Sequence, residues 1–98
     1  MIVNWKQNNE LQQLDTYEPG CWVSVVNPGT EEISKLSTEY KIPTSFITDV
    51  LDVDERSRME IDENVIYIIV RIPVIKHDHH IPYLTLPLGI VVGPENII

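Results

Sequence analysis

The sequence has few of the residues that identify several large classes of protein. Cys21 is its one cysteine, so an internal disulfide is excluded, and we expect it to be a small buried apolar side chain. Basic residues are scarce, with seven Lys and Arg against fifteen Asp and Glu, for a net charge of -8. Because phosphate binding needs clustered positive charge, the composition argues against nucleic acid as a partner.

Long hydrophobic runs are also missing. The longest uninterrupted one, residues 65–70, falls far short of the roughly 20 residues that a membrane-spanning helix needs. Residues 1–6 lack the basic start and apolar stretch of a secretory signal. We therefore expect a soluble chain, whose 98 residues form a single domain with one core.

Catalytic patterns are absent too. The sequence contains no G-x-S-x-G, no phosphate-binding loop, no dinucleotide-binding glycine set and no H-E-x-x-H motif. Fifteen carboxylates could supply an acid–base pair, but no spacing selects two of them. We predict that the chain is not an enzyme.

The apolar runs predict strands on both sides of a helical segment. Residues 1–5 and 21–26 form strands, whereas residues 7–13 are polar and carry little signal. Residues 65–72 are apolar at nearly every position, which predicts a central strand covered on both faces. Residues 84–92 form another strand.

Two features qualify the end of the chain. Pro87 has no N–H and Gly89 weakens a strand, so we expect a bulge or an edge position there. Residues 96–98 resemble the beginning of a further strand, and we expect that the chain is part of a longer protein.

Two consecutive helices are predicted between the strands. Thr30 caps the first, and Pro43 opens the second at its first turn. The residues predicted to be buried are Ile33, Leu36 and Tyr40 in the first helix and Phe46, Ile47, Val50 and Leu51 in the second. Thr48, Asp49 and Asp52 point away from the buried side. The order of elements predicts an α/β fold, a mixed β-sheet flanked by helices.

The stretch "LDVDERSRMEIDENV", residues 51–65, contains six carboxylates and two arginines. As an EF-hand it would place Asp52, Asp54 and Glu63 at ligand positions one, three and twelve. Arg56 then occupies the fifth position, where an oxygen ligand is required, and Ser57 replaces the glycine of the turn. The pattern therefore argues against a true EF-hand.

Two other interpretations of this acidic region are open: surface ion pairs, or an acidic surface that a cation screens. Surface ion pairs beside a turn would involve Glu55, Arg56, Arg58 and Glu60. They leave Asp49, Asp52 and Asp54 in excess over the nearby bases, and these carboxylates repel one another unless solvent or a cation screens them.

"KHDHH", residues 76–80, offers a different candidate metal site. Its ligands would be His77, His79 and His80, residue types that suit zinc, nickel or copper. The adjacent His79 and His80 point to opposite faces of an extended segment, so a solvated hairpin tip is the simpler interpretation. The alternative function is a freestanding metal- or small-ligand-binding module.

Several features together resemble the amino-terminal cytoplasmic domain of CorA-type magnesium transporters. The strongest is "DVLDVDERSRMEIDENVIYIIVRIP", an acidic turn, a glutamate–arginine pair and a hydrophobic strand. The others are Gly20, Trp22 and Val23, then Thr30 to Ile33, Ile42 with Pro43, and "TLPLGIVVGPENII". The resemblance covers about residues 18–98. Ser57 stands where many relatives have proline, and Thr48 where a glutamate often precedes the aspartate.

The resemblance implies a regulatory function. Such transporters are homopentamers at the cell membrane, and a long stalk helix joins the cytoplasmic domain to two membrane spans that this chain lacks. Intracellular Mg2+ binds between protomers, held by an aspartate that Asp49 matches and by another on the neighbouring stalk. Asp52 is a candidate for contacting the ion through water. Mg2+ would thus relieve repulsion between acidic subunits and favour the closed assembly.

Overall fold

Six strands and two helices form the part of the chain that the computed structural model describes, residues 1–75 and 83–98. In chain order they are β1 (Ile2–Asn8), β2 (Glu10–Leu14), β3 (Trp22–Val25), α1 (Thr30–Thr38), α2 (Thr44–Val50), β4 (Arg58–Asp62), β5 (Val65–Ile75) and β6 (Tyr83–Val92). The predicted α/β class is confirmed, with two consecutive helices after the first strands.

The strands form two antiparallel groups that the end of the chain links. One group has the order β2-β1-β3 and the other β4-β5-β6. Ile97 pairs with Trp22 in parallel, and the Val23 N–H donates to its carbonyl at 2.8 Å. Ile98 exchanges two hydrogen bonds with Val91, of 2.7 and 2.9 Å. The predicted mixed sheet is therefore present, and residues 96–98 contribute to it as expected.

A hairpin between β1 and β2 was not predicted. Asn9 has a φ of 67°, a left-handed conformation that asparagine adopts more readily than most residues, and it lets Asn8 pair with Glu10. β2 is exposed except at Leu14, so residues 7–13 have no alternation of apolar and polar side chains that would identify a strand.

The core lies between the two helices and one face of the sheet. Its buried members are Leu36, Ile42, Phe46, Ile47, Tyr67, Ile69 and Val91. The rings of Phe46 and Tyr67 lie 5.2 Å apart, centroid to centroid, and join α2 to the central strand β5. Cys21 is 1% exposed, in agreement with the prediction of a small buried side chain.

The second face of β5 is more open than predicted. Ile66 and Ile68 on that face are paired with Ile61 and Met59 of β4. Those two β4 side chains are 67% and 64% exposed, and Ile72 of β5 is 37% exposed. Within the described residues, the second face of β5 is therefore only partly covered, and the continuous apolar run packs closely on one side.

α1 begins one residue earlier than predicted. Gly29, not Thr30, is the N-cap, and its N–H donates to the Glu32 carboxylate at 3.1 Å. The terminal amino group of Met1 approaches the same Glu32 oxygen at 3.0 Å. Tyr40 packs against the core from beyond the end of the helix, which ends at Thr38.

α2 follows Pro43, which is its N-cap and not its first helical residue. The Pro43 carbonyl accepts hydrogen bonds from the N–H groups of Phe46 and Ile47. Both of these side chains are buried, as predicted. Leu51 is 49% exposed because the helix ends at Val50, so its predicted burial is wrong.

β6 is an edge strand of its group without a bulge. Its register with β5 runs unbroken from Ile66–Val92 to Ile75–Tyr83. The N–H of Val91 points outward to Ile98, and strand alternation directs the nitrogen of Pro87 to the same outer side. Pro87 therefore removes no hydrogen bond to β5, which is why a proline fits there.

Candidate cation site

Asp49 lies in the last turn of α2, on the side away from the core. The buried side chains of Phe46 and Ile47 mark the side of the helix that faces the core. A step of about 100° per residue then places Asp49 at the surface. Its side chain is 36% exposed. The sequence prediction of an accessible carboxylate agrees with this position.

Arg58, at the start of β4, contacts three carboxylates. Its Nη2 lies 2.6 Å from Asp49 Oδ2, its Nη1 2.8 Å from Glu55 Oε1, and its Nε 2.9 Å from Glu60 Oε1. We call Asp49, Glu55, Arg58 and Glu60 the Arg58 cluster. The cluster joins the end of α2 to β4, a connection that spacing along the chain does not reveal.

The charges of the Arg58 cluster do not balance. Hydrogen bonds from the guanidinium, first to Asp49 and then to Glu60, raise the pKa of Arg58 above its usual value, so it remains a cation. Three carboxylates share this one positive charge. The Arg58 side chain is 30% exposed, so water screens these pairs only in part. The cluster therefore has an excess of two negative charges at the surface.

The turn after α2 is held by its own hydrogen bonds. Asp52 Oδ1 accepts from the Asp54 N–H at 3.0 Å, and the Asp52 carbonyl accepts from the Glu55 N–H at 3.0 Å. The Asp52 N–H in turn donates to the Asp49 carbonyl at 3.1 Å. Asp52, predicted as a contributor to a cation site, thus orders the backbone that carries Glu55.

Arg71 fixes the same turn from the sheet, which the sequence analysis missed. Its Nη1 donates to the carbonyls of Val53 and Glu55 at 2.9 and 2.7 Å. Its Nε and Nη2 donate to the hydroxyl and carbonyl oxygens of Thr85 on β6. A single arginine within the otherwise apolar run of β5 was the available signal.

The other predicted site residues do not join the cluster. Arg56 is exposed, and among the described residues its side chain forms no ion pair, unlike the prediction. His77, His79 and His80 lie outside the described residues. In residues 1–75 and 83–98, no group of three or more His, Cys, Asp or Glu side chains is arranged to hold a metal ion.

A groove of about 770 Å3 runs between β3 and β6, under α2. Among the described residues, those that line the groove are all uncharged; they include Trp22, Leu36, Phe46 and Leu88. A hard cation requires oxygen ligands, so this groove is not a cation site. The Arg58 cluster is the better candidate.

The mixed sheet, the two helices and the Arg58 cluster define an α/β domain with an acidic patch at the end of α2. Residues 18–98 match the family described as "CorA-like Mg2+ transporter protein". The chain belongs to this family. None of the curated protein sequences matches it.

Two solved structures resemble the chain over 99% of its length. One is the complete structure of the CorA magnesium transporter from Methanocaldococcus jannaschii, with a TM-score of 0.77, 27% sequence identity and 31% of that chain covered. The other is the soluble domain of CorA from the same organism, with a TM-score of 0.76, 27% identity and 38% covered. The chain thus spans about a third of the length of each.

The two helices in the described ranges have nine and seven residues. No helix there combines the length and the hydrophobicity that crossing a bilayer requires.

Proposed function

We propose that the chain is the regulatory part of a CorA-like transporter, in which Asp49 helps to bind Mg2+ between neighbouring protomers. In this proposal, occupancy of the site by intracellular Mg2+ closes the transport path. The observation that carries the proposal is the position of Asp49, a partly exposed carboxylate within an acidic cluster of a chain that belongs to this family.

The chemistry of the cluster supports Mg2+ over softer metals. Mg2+ prefers six oxygen ligands in octahedral geometry and retains several of its waters, so one or two carboxylates suffice to bind it. Asp49 offers a carboxylate at the surface, and Asp52 lies three residues further along the chain, where it can hold an ion-bound water. The remaining ligand comes from the neighbouring protomer.

Electrostatic repulsion provides the gating. The chain has a net charge of -8, so identical subunits repel one another wherever their acidic surfaces meet. A bound dication at each interface offsets this repulsion and favours the closed, symmetric assembly. When Mg2+ falls, the repulsion returns and shifts the population toward conducting states.

The assembly in the proposal is that of the full-length protein. Residues 1–98 form one domain, part of the cytoplasmic region of a homopentamer. A stalk helix and two membrane spans complete each subunit, and the domain lies at the cytoplasmic face of the cell membrane. The similarity to about a third of a complete CorA transporter supports this arrangement.

Inhibition of Mg2+ transport in the full-length protein tests the role of Asp49. Asp49→Asn removes the charged ligand and should raise the Mg2+ concentration for half-maximal inhibition, measured by flux into proteoliposomes. Asp52→Asn should raise it less. Asp54→Asn is a matched control, because it removes the same charge from an exposed position nearby. If Asp49→Asn and Asp54→Asn change the Mg2+ concentration for half-maximal inhibition equally, Asp49 is not a ligand.

A further inference from the structure

The proposed ligand is already bound to a cation of its own chain. Asp49 Oδ2 lies 2.6 Å from Arg58 Nη2, a charge-assisted hydrogen bond. A carboxylate oxygen in such a bond coordinates Mg2+ only if the guanidinium moves away or shares it. The position of Arg58 therefore bears directly on how Asp49 responds to the ion.

We propose that Arg58 is a competing counter-ion, which occupies the cation position beside Asp49 when Mg2+ is absent and is displaced when Mg2+ binds. The inference rests on the proposed role of Asp49. It adds that the Mg2+ sensitivity of the site is set by an ion pair within one protomer as well as by ligands across the interface.

Arg58 can release Asp49 without losing all of its partners. Its Nη1 and Nε stay with Glu55 and Glu60, at 2.8 and 2.9 Å. Glu55 is held in place because Arg71 binds its backbone carbonyl at 2.7 Å. A partly exposed guanidinium also exchanges a carboxylate for water at small cost, since ion pairs at such positions are weak.

Displacement of Arg58 would also break a connection between α2 and the sheet. Asp49 belongs to α2, whereas Arg58 belongs to β4, which is paired with the central strand β5. Their ion pair ties the end of the helix to the sheet. Binding of Mg2+ to Asp49 breaks this tie and lets the end of α2 respond to the ion independently of β4.

The sign of one mutational effect separates competition from simple positioning. If Arg58 competes with Mg2+, its removal frees Asp49 and leaves three unneutralised carboxylates, so less Mg2+ is needed. If Arg58 only holds Asp49 in a productive position, its removal weakens the site, and more Mg2+ is needed.

The experiment measures the Mg2+ concentration that gives half-maximal protection of the full-length protein from chymotrypsin, a protease whose cleavage sites the arginine variants leave intact. We expect Arg58→Gln to lower this midpoint by about two- to fivefold, the effect of one partly exposed ion pair. The midpoint for Arg58→Lys should lie between those of the wild type and Arg58→Gln, because lysine keeps the charge but lacks the planar fork of donors. It also provides a folded variant if Arg58→Gln is unstable.

Arg56→Gln is the matched control, since it removes the same charge two residues away. An equal fall in its midpoint would reduce the effect to general electrostatics and overturn the inference. An unchanged or raised midpoint for Arg58→Gln would overturn it too. If Asp49→Asn leaves the midpoint unchanged, the proposed function itself fails; if Asp49→Asn raises it while Arg58→Gln does not lower it, only the competition is refuted.

Discussion

Gly89 of β6 leaves the space that Val50 of α2 occupies. A Cβ atom at position 89 would lie 2.5 Å from Val50 Cγ2 and 3.1 Å from Cγ1. The absence of a side chain at this position lets α2 approach the sheet closely. Since Asp49 directly precedes Val50, the same contact sets where the proposed ligand stands.

Gly89→Ala should therefore destabilise the domain. The added methyl group overlaps with Val50 and forces α2 to shift, and overpacking of this kind typically costs about 1–3 kcal/mol. The free energy of unfolding, measured by urea denaturation, would decrease by this amount.

The matched control for this substitution is a double-mutant cycle. Val50→Ala removes the two nearest of the three atoms that the new Cβ would meet, so Gly89→Ala should cost less in a Val50→Ala background. Equal costs in the two backgrounds would mean that the collision with Val50 is not the cause.

Glu32 should make stability depend on acidic pH. Hydrogen bonding from the Gly29 N–H, followed by the amino terminus of Met1, holds the pKa of Glu32 below its ordinary value. A carboxyl group with a lowered folded-state pKa stabilises the fold above its unfolded pKa of about 4.3 and loses this contribution as pH falls through the folded value. We expect the melting temperatures of the wild type and Glu32→Gln to differ at pH 7 and to converge in acid.

Glu31→Gln serves as the control for that experiment. It removes the same charge from the same first turn of α1, at an exposed position. A similar convergence for Glu31→Gln would assign the effect to the helix dipole and not to the hydrogen bonds of Glu32.

Tyr67 should limit stability at alkaline pH. Burial, followed by the nearby charge of Asp62, raises the pKa of its hydroxyl above the ordinary value. A group with a raised folded-state pKa contributes stability below its unfolded pKa of about 10 and loses it as pH rises through the folded value. Tyr67→Phe keeps the ring and removes the ionisable hydroxyl. The melting temperature of this variant should therefore fall less steeply than that of the wild type above about pH 10. An identical decline would exclude Tyr67 as a cause.

Arg71 should control access to the turn that follows α2. Arg71→Gln removes the donors to the carbonyls of Val53 and Glu55, so the turn opens more often. Trypsin cleavage after the exposed Arg56 should then accelerate. Thr85→Val is the control, because it removes one acceptor of Arg71 and leaves both bonds to the turn. Faster cleavage in both variants would show that the fold as a whole is loosened.

The fold was predictable where local sequence and tertiary environment agree. The apolar run of β5 and the apolar face of α2 are local patterns, and both elements form where they were predicted. β2 was missed because its side chains are exposed and polar, and its pairing depends on the conformation of Asn9. The role of Gly89 was also missed, since its reason is an atom of a different element.

The sequence by itself determined the order of β1, β3, the two helices, β5 and β6, the acidic character of the surface and the accessibility of Asp49, because each follows from composition or from the period of an element. Only the tertiary structure decided which charges meet. Asp49 and Arg58 are nine residues apart and Arg71 is more distant still, and ion pairs of this kind form when folding brings separate elements together. No periodicity encodes such contacts, so the ion pair between Arg58 and Asp49 could be recognised only in the tertiary structure.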